Sequence, residues 1–476
     1  MRRPGLVALV TLALLCAGQG GLAEPTSGAS PVGIWQGSLP GPLRLVFHVE
    51  NAPRGGLRGT MDSPDQGAMG LAIDRIAFEG GSLRFEMRAI GGDYRGAMTA
   101  SGDSLVGRWS QAGTAMPLTL VRTAHLEGPK RPQEPRRPFP YDTVAVRFPN
   151  LAASAVTLAG TLTLPRGNGP FPCAILITGS GPEDRDETVF GHRPFLVLAD
   201  HLTRKGIAVL RIDDRGVGQS TGRFSQSTSE DFASDVLAEI DFLGSHPEID
   251  PRRIGLIGHS EGGLIAPMVA NRSKSVRFVV LMAGPGIPGD STLALQTAAV
   301  RRSLGVGESS IARELEVSRR LYTSLSKGDS LGIETAGRDL VRLQLERLPE
   351  AMRRAAGNPD SLAAAAIRQL DSPWMRFFVG YDPRPALGRL EIPVLAINGG
   401  RDIQVLPKEN LSAIGSALEA GGNRDVTVRE LPGLNHLFQT CVTCTVGEYG
   451  QLEETFAPAA LETISKWVVA RTRADR

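Results

Sequence analysis

The chain has 476 residues, 41% of them hydrophobic and 21% charged, proportions that suit a folded globular protein and exclude a disordered or fibrous one. Its formal charge of +2 gives no ground for a nucleic-acid partner or for attraction to a membrane surface. With 56 glycines and 33 prolines, the sequence should contain many turns and at least one stiff connector.

Arg2 and Arg3 precede an apolar run from Leu6 to Ala17, and Gly21-Leu22-Ala23 lead into Glu24. This is the layout of a secretory signal peptide over residues 1–23, and it implies a periplasmic or secreted protein. Cys16 follows Leu15 rather than the small residue that lipid attachment favours. No later stretch reaches ~18 uninterrupted apolar residues, so no stable membrane insertion is expected. Residues 1–23 carry two arginines and no acid, so the remainder is formally neutral. Cys173, Cys441 and Cys444 remain, too few for a disulfide scaffold, and the fold must rest on its cores.

Residues 24–126 read as a small all-β, barrel-like domain. Leu43, Leu45, Phe47 and Val49 alternate with Arg44, Val46, His48 and Glu50, and Leu83, Phe85, Met87 and Ala89 alternate with Arg84, Glu86 and Arg88. A period of two with one apolar face marks half-buried antiparallel strands. Gly55-Gly56, Gly80-Gly81, Gly91-Gly92-Asp93 and Ser101-Gly102-Asp103 are turn signals at hairpin spacing, and about eight strands are expected. No catalytic constellation lies here; a packing or spacer role and a binding role both remain open, with the partner unknown.

Residues 127–140 form a proline-rich linker. Pro129, Pro132, Pro135, Pro138 and Pro140 favour an extended, semi-rigid connector. Beyond it, residues 141–476 have a different texture. Thr157–Leu164 alternates, and then continuous apolar runs follow at Cys173–Thr178, Ile207–Ile212, Ile254–Ile257, Phe278–Met282 and Val394–Ile397. Such runs suit parallel strands buried on both faces. Helical stretches at Phe195–Lys205, Ser229–Ser245 and Glu261–Ala270 lie between them, which implies a doubly wound α/β sheet. Residues 290–370 are rich in Arg, Glu, Ala and Leu with helical periodicity, and read as a helical insertion.

The chemistry-bearing residues fall at strand ends. Ile254–Ile257 runs into Gly258-His259-Ser260-Glu261-Gly262-Gly263, a G-x-S-x-G motif between a strand and a helix. That turn forces the serine into a strained conformation with its Oγ exposed, and only near-absent flanking side chains permit it. Ser260 is thus the candidate nucleophile, and the Glu261 N–H at the helix start is a candidate oxyanion donor. Of the seven histidines only His436 lies beyond the insertion. It sits in a loop after the run Val426–Leu431 and is the candidate base. His259 should point away from Ser260 as a packing or pocket-wall residue, and His192, His201 and His246, on helices or helix ends, should be solvated. Asp402 follows the Val394–Ile397 run and Asn398-Gly399-Gly400-Arg401, where a short carboxylate can orient an imidazole; Asp382 competes, or is a turn residue before Pro383. A second oxyanion donor should come from Ser180 or Gly181 in Thr178-Gly179-Ser180-Gly181-Pro182. The charged run Glu183–Glu187 after it, which includes Arg185, reads as a solvated loop, with a place at the border of the pocket as the alternative. Cys441-Val442-Thr443-Cys444 lacks the second pair a zinc site needs, so a local disulfide is expected, with free thiols as the alternative. No cofactor or metal is called for.

On Gly258-His259-Ser260-Glu261-Gly262, Asn398-Gly399-Gly400-Arg401-Asp402 and Leu434-Asn435-His436, residues 141–476 resemble the α/β-hydrolase superfamily. Asp213-Asp214-Arg215-Gly216-Val217-Gly218-Gln219-Ser220 is similar to its Arg-Gly-x-Gly-x-Ser turn. The likeness is greatest to bacterial esterases related to serine aminopeptidases and dienelactone-hydrolase-like enzymes. One departure is Thr178-Gly179 in place of the usual His-Gly of the oxyanion loop. The resemblance implies a serine hydrolase acting on small-molecule acyl esters, with peptidase or thioesterase activity as the alternative within the same chemistry. A non-catalytic binding protein on a hydrolase scaffold is the alternative of another class.

Overall fold

The computed structural model describes residues 30–473, apart from 40–42, 53–54, 64–67, 112–113, 125–128, 348–349, 351–352 and 354–357. The signal-peptide reading at 1–23 and His125 lie outside the described residues. The chain divides into two compact units, one of Met1–Lys130 with Arg338–Ala365, the other of Arg131–Gly337 with Ala366–Arg476.

Among the described residues the first unit carries nine strands, close to the expected number of about eight: β1 (Gly33–Leu39), β2 (Leu43–Asn51), β3 (Leu57–Ser63), β4 (Ala68–Ala72), β5 (Arg75–Glu79), β6 (Ser82–Met87), β7 (Gly92–Met98), β8 (Ser104–Gln111) and β9 (Thr114–Thr123). They form one antiparallel sheet in the order β4-β3-β2-β1-β9-β8-β7-β6-β5. Each hairpin pairs chain neighbours, and β1 with β9 joins the two runs. The sheet curls around one core, in which Trp35, Phe47, Phe85, Tyr94 and Trp109 are almost wholly buried. The β6 alternation is as the sequence implies, with Leu83, Phe85 and Met87 inward and Arg84 and Glu86 exposed. Gly80 and Gly81 both take positive φ (54° and 74°), the geometry that a two-residue hairpin needs and that glycine adopts at no steric cost.

The second unit carries an eight-stranded sheet: β10 (Tyr141–Pro149), β11 (Thr157–Pro165), β12 (Phe171–Ile177), β13 (Ala208–Ile212), β14 (Ile249–His259), β15 (Val276–Met282), β16 (Val394–Gly399) and β17 (Val426–Leu431). The order is β10-β11-β13-β12-β14-β15-β16-β17. β10 and β11 are antiparallel, and the rest run parallel from β13 to β17. β10 escaped the sequence reading because it is an edge strand in which only Tyr141, Val146 and Phe148 are buried. Helices α1 (Pro194–Thr203), α2 (Ser229–Gly244) and α3 (Glu261–Ala270) match the expected stretches within two residues. Apolar cores lie on both faces of the sheet. One takes Val236, Ile240, Leu264 and Met268, and the other Phe195, Leu198, Ile464 and Val468. This is the doubly wound α/β-hydrolase arrangement.

Between β15 and β16 the chain is helical: α4 (Gly289–Ser303), α5 (Glu308–Lys327), α6 (Ser330–Glu346), α7 (Pro359–Leu370), α8 (Pro373–Gly380) and α9 (Arg384–Leu387). The insertion therefore extends past the expected end at 370. Two helices follow it, α10 (Pro407–Ala420) and α11 (Pro458–Thr472). Among the described residues no helix is long and apolar enough to cross a membrane.

From Arg131 onward the proline-rich segment is fastened to the second unit. Arg131 donates to the carbonyls of Gly191, Gly450 and Leu452 (2.9, 2.9 and 2.6 Å). Gln133 bonds Phe456 and Thr455, and Glu134 pairs with Arg193.

Candidate active site

Ser260 stands between β14 and α3 at φ 51°, ψ −116°, a backbone region that non-glycine residues enter only under strain. The flanking glycines explain how the turn is possible. A Cβ on Gly258 would lie 2.0 Å from the Gly262 carbonyl oxygen, and one on Gly262 would lie 2.2 Å from that of Ile177. The parallel pairing of β14 with β12 and β15 sets this turn at the shared C-terminal edge of the strands.

His436 Nε2 is 3.1 Å from Ser260 Oγ, and His436 Nδ1 is 2.7 Å from Asp402 Oδ2. The other Asp402 oxygen accepts the N–H groups of Gln404 and Val405 (2.7 and 3.0 Å), so the carboxylate has one orientation. Asp402 and His436 are buried, while Ser260 keeps partial access to solvent. Asp382, the competing acid, instead pairs with Arg384 (2.6 Å) beside α9.

The loop that carries His436 has its own internal frame. Asn435 Oδ1 accepts the N–H groups of Leu437 and Gln439 (both 3.0 Å), and Asn435 Nδ2 donates to Gln439 Oε1 (2.9 Å). Gln439 Nε2 reaches the Glu454 carbonyl and His192 (both 2.9 Å). His192 is not solvated as expected but wholly buried, with Thr455 Oγ1 2.9 Å from its Nδ1. Burial, and then the charge of Arg131, lower its pKa to about 4, so it supports this loop as a neutral ring. A disulfide joins Cys441 to Cys444 just beyond. Cys173 is a buried free thiol in β12, and burial pushes its pKa up.

The Gly179–Gly181 loop lies directly against the elbow, since a Cβ on Gly179 would stand 3.4 Å from Ser260 Cβ. The Gly179 N–H is taken by Glu187 Oε1 (2.9 Å), which leaves Ser180 and Gly181 as the candidate donors of this loop. Glu261, at the first position of α3, has no carbonyl one turn back to occupy its N–H. Its side chain has a separate set of partners. Glu261 Oε1 accepts from Ser229 Oγ (2.6 Å) and Trp374 Nε1 (2.7 Å). Burial raises its pKa, against the Ser229, Trp374 and Ser180 contacts that favour the charge. Ser229 is in place because Thr228 and Asp231 form a capping box at the start of α2.

The run Glu183–Glu187 corrects the expectation of a solvated loop. Arg185 pairs with Asp213 (2.7 Å), Asp186 pairs with Arg211, and Glu187 is almost fully buried. Asp213 also accepts the Gln219 N–H (2.9 Å), which pins the turn after β13. Burial, followed by the neighbouring Glu187, Asp214 and Asp184 charges, raises the Glu183 carboxyl well above its ordinary range. Sequence reasoning named the three residues that the structure brings together, Ser260, Asp402 and His436, but missed the burial of Glu187 and His192, because a charged run and a lone histidine carry no local sign of what will pack over them.

A family model described as serine aminopeptidase, S33, matches residues 193–440. The esterase EstD of Thermotoga maritima is 29% identical over 283 residues, 59% of this chain and 58% of the relative, so the match spans less than two thirds of that protein. Among solved structures, a Pyrococcus furiosus esterase is 17% identical over 73% of this chain and 100% of that one, with a TM-score of 0.43. A dienelactone hydrolase from Anabaena variabilis is 17% identical over 70% of this chain and 100% of that one, with a TM-score of 0.38. With the family model covering more than half of its length, the chain belongs to the serine aminopeptidase, S33, family.

Proposed function

We propose that this protein is a serine hydrolase that cleaves carboxylic esters through an acyl-enzyme. The observation that carries the reading is the continuous chain of hydrogen bonds from Asp402 through His436 to Ser260 at the strained elbow. Ser260 Oγ attacks the acyl carbonyl while His436 Nε2 takes its proton. Asp402 holds His436 with Nδ1–H toward the carboxylate and stabilises the imidazolium. The Glu261 N–H and that of Ser180 or Gly181 receive the developing oxyanion, where one donor is commonly worth about 10²–10³ in rate. His436 then protonates the leaving alcohol, and water, activated by the same ring, releases the acid. The likeness to a named esterase supports ester substrates. An exported enzyme is part of the proposal, and the Cys441–Cys444 disulfide suits an oxidising compartment.

The test is a panel of nitrophenyl esters, acyl thioesters and aminoacyl amides on the purified protein, with fluorophosphonate labelling mapped by mass spectrometry. Ester turnover with the label on Ser260 is the expected result. Turnover confined to aminoacyl amides would replace the ester reading with the peptidase one, and a label elsewhere would remove Ser260 from its role.

A further inference from the structure

Among the buried titratable groups to which ester hydrolysis as described gives no task, one adjoins Ser260 in the chain. His259, beside Ser260, is only 4% exposed, and both of its ring nitrogens face acceptors. Nδ1 is 2.8 Å from Glu187 Oε1, and Nε2 is 3.0 Å from the backbone carbonyl oxygen of His436. A neutral imidazole has one N–H and one lone pair, so it can satisfy only one of two such acceptors. The imidazolium satisfies both. The other arrangement that satisfies both contacts is a neutral ring with Nε2–H on the His436 carbonyl and a protonated Glu187 carboxyl donating to Nδ1. Two facts favour the ring: imidazole is the stronger base, and the Gly179 N–H on the same Glu187 oxygen (2.9 Å) stabilises the carboxylate form.

We propose that His259 is a positioning residue, carried as an imidazolium, which with Glu187 fastens the three loops of the site to one another. The connections run through hydrogen-bond contacts on three segments. Glu187 holds the Gly179 N–H of the oxyanion loop, His259 belongs to the elbow, and the His436 carbonyl belongs to the base loop. Glu187 reaches this place at φ 53°, in a left-handed conformation that is costly for a residue with a side chain. Such strain persists where the surroundings over-determine it. The His259 ring lies 4.9 Å from the His436 ring and edge-on to Phe438. The charged groups that face it, Glu187 and Asp402, are both acids; Glu183 adds a third carboxyl next to Glu187. Burial lowers the pKa of His259, but Glu187, the His436 carbonyl and Asp402 outweigh it, and the net direction is upward.

The sign of the pH effect follows. A histidine whose folded pKa is raised keeps its contribution below the unfolded value of about 6.5 and loses it as pH rises through the folded value. Glu187→Gln removes the main cause of the rise, so the variant should lose the His259 proton, and with it the fastening, at a lower pH than the parent.

The experiment uses the full chain with 15N-labelled histidine, the His259 signals being assigned by comparison with His259→Gln. At pH 7.5 both ring nitrogens of His259 should be protonated in the parent protein, whereas one N–H is expected in Glu187→Gln. The same variant should lose about ten- to a hundred-fold in kcat toward a short nitrophenyl ester, with KM within about twofold, and its kcat should fall off at lower pH on the alkaline side. A parent His259 with a single N–H at pH 7.5 overturns the proposal, as does a Glu187→Gln variant with an unchanged kcat. The kinetic arm rests on the ester-hydrolase reading and the spectroscopic arm does not. Absence of any turnover in the parent would therefore sink that reading, while the ring nitrogens would still decide the charge on His259.

Discussion

The two sheets of this protein use burial for different ends. The first encloses aromatic side chains, and a polar atom buried among them, the Tyr94 hydroxyl, is satisfied by the carbonyls of Leu105 and Leu118 (2.9 and 3.3 Å). The second is apolar on both faces, yet at its C-terminal edge it buries Glu187, His259, Glu261, Asp402 and His436. Connectivity accounts for the contrast. An antiparallel meander turns straight back after each strand, so its loops are short and spread over two ends. Parallel strands all finish on one edge, and residues near positions 180, 260, 400 and 436 converge there although the sequence separates them widely.

This contrast predicts opposite signatures when each region is cut. Removing the proposed nucleophile with Ser260→Ala should lower kcat for nitrophenyl acetate by about 10⁴–10⁶ while thermal melting barely changes, because the hydroxyl contributes one polar contact at a half-exposed position. A residual rate within tenfold of the parent would show that the edge of the second sheet is not where the chemistry occurs. Trp109→Ala in the first sheet should do the reverse. Trp109 is 1% exposed and packs against Phe47 and Phe85 (ring centroids 6.0 and 6.3 Å), so truncation should cost about 3–5 kcal/mol in denaturant unfolding of that unit. Its kcat for the same small ester should stay within about twofold. A parallel loss of kcat would mean the first sheet contributes to turnover, and the division of labour would fail.

How much of each region could be read in the sequence follows the same division. In the first sheet, alternation along β6 and glycine pairs at turns were enough for the architecture, because each pairing is local. In the second, uninterrupted apolar runs gave the parallel strands, and the G-x-S-x-G setting, the Asp402 loop and the sole late histidine gave the candidate triad. What stayed hidden depends on contacts between segments far apart in the chain. Glu187 is the last of five consecutive charged positions and looks solvated until the Gly179 and His259 partners are known. His192 is buried by residues 257 and more positions away, Tyr449 and Thr455. Asp142, Thr143, Val144 and Ala145 in β10 are exposed, so an edge strand shows little of the alternation that identifies a strand.

The insertion lies between these extremes and gives the smallest expected effect. Its α5 helix follows the period-3.6 pattern, with Ile311, Val317, Leu321 and Leu325 buried, but nothing in that pattern indicates which insertion residue meets the site. Trp374 does, through one indole N–H on the Glu261 carboxyl, and its ring stacks on Phe378 (5.0 Å between centroids). Trp374→Phe keeps an aromatic ring for Phe378 and removes only the N–H. Losing one side-chain hydrogen bond at a half-buried position is worth about 1 kcal/mol, or close to fivefold in rate. Because Glu261 presents its own backbone N–H beside Ser260, the loss should appear in kcat more than in KM. A change in KM alone would make Trp374 a wall of the substrate pocket. A change in melting temperature alone would make it a packing residue, with the insertion as mute as the aromatic core of the first sheet.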